Sequence, residues 1–216
     1  MLITYKIHLI RTGNTTDDEN RPYVGQLDLP LAQSGQELLA AMKEQFEYPK
    51  VQLVYTSPLK RTVETADILF PDNQVIPIDA LKDMNLGDFQ GKTFKELEFQ
   101  EDFVKWINNS AEYAPPGGES TLEFTKRIIG AINGIFFEMM NQKLTNVAVI
   151  THGGVIMSLL ANIGLPKAPP QEWLVENGTG FTLMMTPSMW MRDHLGEVTS
   201  RVPTLKDEES YDLGMW

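Results

Sequence analysis

NVAVITHGGVIMSLLANIG, residues 146–164, sets the architecture. Its first six residues hold the unbroken apolar run VAVI between Asn146 and Thr151, which reads as a strand buried on both faces. His152 and the glycine pair Gly153-Gly154 turn the chain into a helix over GGVIMSLLANIG. A buried strand feeding directly into a helix is the signature of a parallel sheet with crossovers.

The same alternation runs outward on both sides. ITYKIHLI (3–10) is rich in β-branched and aromatic residues and predicts a strand, followed by an irregular polar loop from Thr12 to about Pro30. Ser34 is a candidate cap for a helix through QELLAAMKEQF, with Leu38, Leu39, Met42 and Phe46 on one face. VQLVYTS (51–57) predicts a strand, RTVETADILF a helix, and QVIPID (74–79) an edge strand, since Pro77 lacks a donor for a ladder. The segment 81–118 is less regular, with a helical stretch from about Phe94 to Asn108. A long helix is expected from Ser120 or Thr121 to about Asn141, and a last strand at FTLMMTP (181–187). The fold expected is an α/β/α sandwich of three layers with a mainly parallel central sheet, in one domain with a core at 3–187 and an extension at 188–216. The extension carries an expected edge strand near 198–202. Its aromatic end either docks on the domain or on a second subunit, giving a homodimer, or is a frayed terminus.

Composition narrows the chemistry. The chain has 216 residues and a net charge of −11, which repels nucleic acid and anionic membranes over most of its surface. It has no cysteine and only three histidines, so thiol chemistry is excluded, no metal site is expected, and nothing calls for a cofactor. The start of the chain lacks the pattern of a secretion signal, and no apolar run is of membrane-spanning length, so a cytoplasmic setting is expected. Ligands of open α/β sheets bind beyond the carboxyl ends of the strands. Three residues stand there: Arg11, Arg61 just past the second strand, and His152.

Six ordered segments resemble the histidine phosphatase superfamily, which includes phosphoglycerate mutases and α-ribazole phosphatases. They are LIRTGNT (9–15), YVGQLDLPLAQSG (23–35), YTSPLKRTVETA (55–66), LKDMNLGDFQG (81–91), PPGGES (115–120) and ITHGGVI (150–156). The resemblance implies phosphate contacts from Arg11, Thr15, Arg61 and His152. It places Asp83 at the general-acid position and Tyr23, Gly25 and Glu119 at the substrate mouth. In such an enzyme a histidine attacks phosphorus, arginines and a second histidine stabilise the spread charge, and a carboxylic acid protonates the leaving oxygen.

The departures are equally specific. Thr12 stands at the nucleophile position, and a threonine hydroxyl is weak without an adjacent base. His8 cannot substitute, being four extended residues, or roughly 13 Å, away. Asp83 is one methylene shorter than the family's glutamate. Asp18 stands where an asparagine contacts phosphate, and a carboxylate there repels the ligand unless the loop turns it to water. Glu119 has a second reading as an ordinary first-turn helix residue. Phe94, Phe99, Phe103 and Trp106 either line an apolar substrate wall or pack their own helix, and packing is preferred. Two functions follow: a protein that binds a phosphomonoester or other anionic small molecule with catalysis lost or much reduced, or a working phosphomonoester hydrolase or mutase with a non-standard nucleophile. A Thr12 introduced into an active enzyme is a third idea, opposed by Asp18 and Asp83.

Overall fold

A computed structural model describes residues 3–17 and 22–206. Asp18 and the end of the C-terminal extension, on which two of the expectations above fall, lie outside the described residues. In chain order the elements are β1 Tyr5–Arg11, α1 Gln33–Gln45, β2 Phe46–Glu47, β3 Leu53–Thr56, α2 Lys60–Leu69, β4 Val75–Pro77, α3 Phe94–Leu97, α4 Glu101–Asn108, α5 Thr121–Gln142, β5 Asn146–Thr151, α6 Gly153–Ile163, β6 Gly164–Leu165, β7 Gly180–Met185, α7 Pro187–Asp193, β8 Gly196–Val202 and β9 Thr204–Leu205.

Seven strands form the main sheet in the order β4-β3-β5-β1-β7-β8-β6, and β2 pairs with β9 in a separate ribbon. β4, β3, β5 and β1 run parallel, while β7 is antiparallel to both β1 and β8. β5 lies inside the sheet between β3 and β1, so both its faces need apolar side chains, and Val147 through Thr151 are all buried. β4 is one of the two edge strands, with Pro77 as its last residue.

Period-two alternation divides each central strand between two cores. Ile7, Leu9, Val147 and Val149 pack with Phe124, Ile128, Ile132 and Phe136 of α5 and Ile156 and Leu160 of α6. Ile10, Ala148, Ile150 and Val54 pack on the other face with Leu39 of α1 and Ala66 and Leu69 of α2. The result is a three-layer α/β/α sandwich, and the carboxyl ends of β1, β3 and β5 share one edge. No helix among the described residues is long and apolar enough to cross a membrane.

Three local expectations change. Helix α1 starts at Gln33 after Ala32, without a side-chain cap; the Ser34 hydroxyl instead hydrogen-bonds to Asp17. The stretch 94–108 is two helices, because Thr93 and Glu96 close a capping box around the short α3 and the chain reopens before Glu101. The chain after Ser188 is more regular than expected. Thr186 caps α7, Pro187 occupies its first turn, and the fully buried Trp190 packs on Phe136 and donates to Asn133. β8 then lies inside the sheet edge, between β7 and β6.

Candidate functional site

β1 delivers Arg11 and Thr12 to the carboxyl edge. Thr12 N–H extends the ladder by donating to the Thr151 carbonyl at 2.8 Å. Its side chain is only 6% exposed, and its hydroxyl donates to the Arg61 carbonyl at 2.9 Å and lies 3.0 Å from the Thr65 hydroxyl. Thr65 donates to the same carbonyl at 2.6 Å and accepts the Gly13 N–H at 3.2 Å. Gly13 packs closely: a Cβ there would press on the methyl ends of Leu31 and Leu39 at 2.9 and 3.0 Å. Asn177 fixes the strand end from the other side, donating to the Thr12 carbonyl at 2.7 Å. Arg11 donates from Nη1 to the Val175 carbonyl at 2.6 Å.

Arg61 enters from the first turn of α2 and is 3% exposed. Three parts of its guanidinium hold three partners. Nη1 donates to the Leu27 carbonyl at 2.6 Å, Nη2 to the Gly25 carbonyl at 2.8 Å, and Nε to His152 Nδ1 at 3.3 Å. Gly25 presents its carbonyl from a left-handed turn with φ of 51°. Desolvation holds the Arg61 pKa below its usual value, opposed by the Asp83 and Asp28 carboxylates.

His152 precedes α6 and is 2% exposed. Because Nδ1 accepts from Arg61, the neutral ring carries its proton on Nε2. That Nε2 is buried and has no hydrogen-bond partner among the described residues. Burial first, then the charges of Arg61, Arg127 and Arg11, holds the His152 pKa well below its ordinary value, so the ring is neutral at physiological pH.

Asp83 follows a 3-10 turn at Asp79–Leu81. One carboxylate oxygen accepts the Met84 N–H at 3.0 Å and approaches Gly154 so closely that a Cβ there would sit 3.1 Å from it. Desolvation pushes the Asp83 pKa up, against the pull of Met84 N–H and of Arg61, Arg11 and Arg127. Arg127 of α5 holds this loop with all five of its N–H groups. Nη1 donates to the Ala80 and Lys82 carbonyls, both at 2.9 Å. Nη2 reaches the Asp83 carbonyl at 3.1 Å, and Nη2 and Nε together clasp the Glu119 carboxylate. Glu119 also accepts the Asn85 N–H at 2.7 Å.

Arg11, Thr12, Arg61, Asp83 and His152 line one cavity of about 170 Å³, with Thr15 and Asn177 in its wall. The other expected site residues stand behind it. Gly25 contributes a carbonyl to Arg61, Glu119 an ion pair to Arg127, and Tyr23 an aromatic ring packed on Phe103 and Trp106 at 5.5 and 6.2 Å. Of the four aromatics at 94–106, Phe103 is buried in that cluster and Phe99 is 90% exposed. His8 is a satisfied sheet-face histidine, bonded to Thr182 and Asn146 at 2.9 and 2.7 Å. The sequence assigns no site role to Thr65 or Asn177, and none to Arg127 beyond its being one of the few arginines. Each touches the site through a partner at least 44 residues away, and no local pattern announces such a pair.

Residues 7–194 match the histidine phosphatase superfamily (branch 1), and the chain belongs to that family. It is 28% identical over 183 residues to the glucosyl-3-phosphoglycerate phosphatase of Mycolicibacterium vanbaalenii, a match covering 81% of this chain and 80% of that protein. It is 27% identical over 179 residues to the adenosylcobalamin/α-ribazole phosphatase of Escherichia coli, covering 80% and 86%. The solved mycobacterial glucosyl-3-phosphoglycerate phosphatase superimposes with a TM-score of 0.74 over 90% of this chain and 97% of that one, and at 23% identity this likeness speaks for the fold.

Proposed function

We propose that this protein binds a phosphomonoester or similar small anion in the cavity at the carboxyl edge of the sheet, with turnover lost or strongly reduced. Arg11 and Arg61 supply positive charge, the Nε2–H of His152 supplies a buried donor, and Thr15 adds a hydroxyl. Asp83 lines the same cavity, and burial raises its carboxyl above the ordinary carboxylate range, the direction a donor to the ester oxygen needs.

One observation carries the loss of turnover: the engagement of the Thr12 hydroxyl. It is tied to a backbone carbonyl and a second hydroxyl, and neither accepts a proton at neutral pH. His152 is a poor replacement, because the nitrogen without a partner carries the proton and the lone pair of the other is committed to Arg61.

The test is to assay the native chain and Thr12→His on an aryl phosphate and on sugar and nucleoside phosphates. The native chain should turn over orders of magnitude below ordinary rates of about 1–10³ s⁻¹, since losing a nucleophile costs roughly 10⁶-fold in other hydrolases. Thr12→His should gain activity. Ordinary turnover by the native chain would refute the proposal. Phosphate or vanadate should raise the melting temperature of both proteins.

A further inference from the structure

Helix α5 buries one face and leaves the other to solvent. Phe124, Ile128, Ile132 and Phe136 face the core. The outer ridge runs Leu122, Lys126, Gly130, Gly134 and Phe137, with about one helical turn between successive residues. Leu122 is 61% exposed and Phe137 is 38% exposed, so each end of the ridge carries a large apolar group. Between them lies a notch, because a Cβ at Gly130 or Gly134 would meet no described atom within 4 Å. A glycine inside a helix costs stability relative to alanine, and close approach of another element is the usual compensation. Beside the notch a groove of about 590 Å³ opens between α5, the end of α6 and the turn after α7, with Ile129, Asn133, Ile163 and His194 in its wall.

The ridge is complementary to itself. Two copies of α5 set antiparallel by a two-fold axis at position 132 bring Gly130 opposite the partner's Gly134. The same register brings Lys126 opposite the partner's Glu138, once at each end. Phe137 then falls between the partner's Lys126 and Gly130, over the groove. Lys126 and Glu138 sit on opposite flanks of the ridge. A crossing angle of about −50°, at which ridges of residues four apart interdigitate, swings them toward each other. The chain's own end is directed elsewhere: Lys206 donates to the Lys43 and Glu44 carbonyls at the end of α1, across the sheet from α5.

We propose that the outer ridge of α5 is the interface of a two-fold dimer of this chain, with Phe137 seated in the partner's groove and Lys126 paired with the partner's Glu138. The dimer does not depend on what the cavity at the sheet edge binds.

Sedimentation velocity of the full chain across the micromolar range tests it. The native chain should sediment as a dimer that dissociates on dilution. Gly130→Gln fills the notch and should weaken the dimer by roughly tenfold or more. Its circular dichroism, and its melting temperature at concentrations where both proteins are monomeric, should hold or rise, since the monomer has open space there and glutamine favours helix over glycine. Lys126→Glu opposes two carboxylates and should also weaken the dimer, whereas Lys126→Glu combined with Glu138→Lys should restore it. A native chain that stays monomeric at every concentration overturns the proposal, whether the ridge is open or covered by residues 207–216. A dimer that Gly130→Gln leaves intact forms through another surface and overturns it as well. Failure of the double exchange to restore what Lys126→Glu removes overturns the antiparallel pairing.

Discussion

Replacing Arg61 by methionine isolates the most heavily committed side chain of the site. The methionine fills much of the guanidinium stem's volume but donates nothing. It therefore strips the donor from three acceptors at once: the Gly25 carbonyl, the Leu27 carbonyl and His152 Nδ1. The Leu27 carbonyl keeps the Leu29 N–H, whereas the Gly25 carbonyl and His152 Nδ1 are left without a donor; at about 1–3 kcal/mol for each unsatisfied buried acceptor, the gross loss is roughly 2–6 kcal/mol. Part of this is returned, because desolvation of the Arg61 charge is itself unfavourable and disappears with the residue. A net destabilisation of about 3 kcal/mol is expected, inside that range. For a chain of this size that is a fall of roughly 6–12 °C in melting temperature. Urea denaturation should show a lower midpoint at unchanged m, and stabilisation by phosphate should vanish. A loss below about 1 kcal/mol, within the usual range for a partly exposed substitution, would refute this account of Arg61.

The pH dependence of stability should reflect His152. Its folded-state pKa lies below the unfolded value of about 6.5, so the unfolded chain takes up the proton first as pH falls. Stability is then complete above about pH 6.5 and declines below it, by up to about 1.4 kcal/mol per pH unit for each such group. His8 is shifted the same way by burial, so His152→Gln should remove only part of the slope in urea midpoints between pH 5 and 8. An unchanged slope would contradict the assignment. Asp83 has the opposite sign: its folded pKa is raised, so the proton is held more firmly when folded, and stability is lost as pH rises from the unfolded carboxyl value through the folded one. Asp83→Asn should therefore be the more stable protein at pH 8, with the advantage fading as the pH falls toward 4. Arg127→Met should cost about 3 kcal/mol, because it leaves the Ala80 and Lys82 carbonyls without a donor and the Glu119 carboxylate without its cation, while Gln26 still serves the Asp83 carbonyl and the Asn85 N–H still serves Glu119. Hydrogen exchange should show the Asn85 amide, now held by Glu119, opening first, and protection equal to the native protein's would count against the clamp.

The sheet was legible because its signals are local. NVAVIT reads as a two-sided buried strand from six adjacent residues, and β5 lies between two neighbours as that pattern requires. Pro77 marked an edge, and β4 is one. The capping box of Ser120 and Glu123 starts α5 where the sequence places it. The boundaries that shifted were those where a distant group intervened. Ser34 looked like a cap but hydrogen-bonds to Asp17 across the loop, and α7 forms where Trp190 finds Phe136 and Asn133 on α5.

Sequence alone determined the strand-helix alternation, the family likeness and the residue types brought to the strand ends, because periodicity and motif spacing are properties of neighbouring residues. Tertiary structure decided how those groups are engaged: that Thr12 is bound to Arg61 and Thr65, that Arg61 sets the tautomer of His152, and that Arg127 serves the loop of Asp83. A hydrogen bond between residues 49 or 91 positions apart depends on how the layers pack, and on which of several possible partners each donor then meets first.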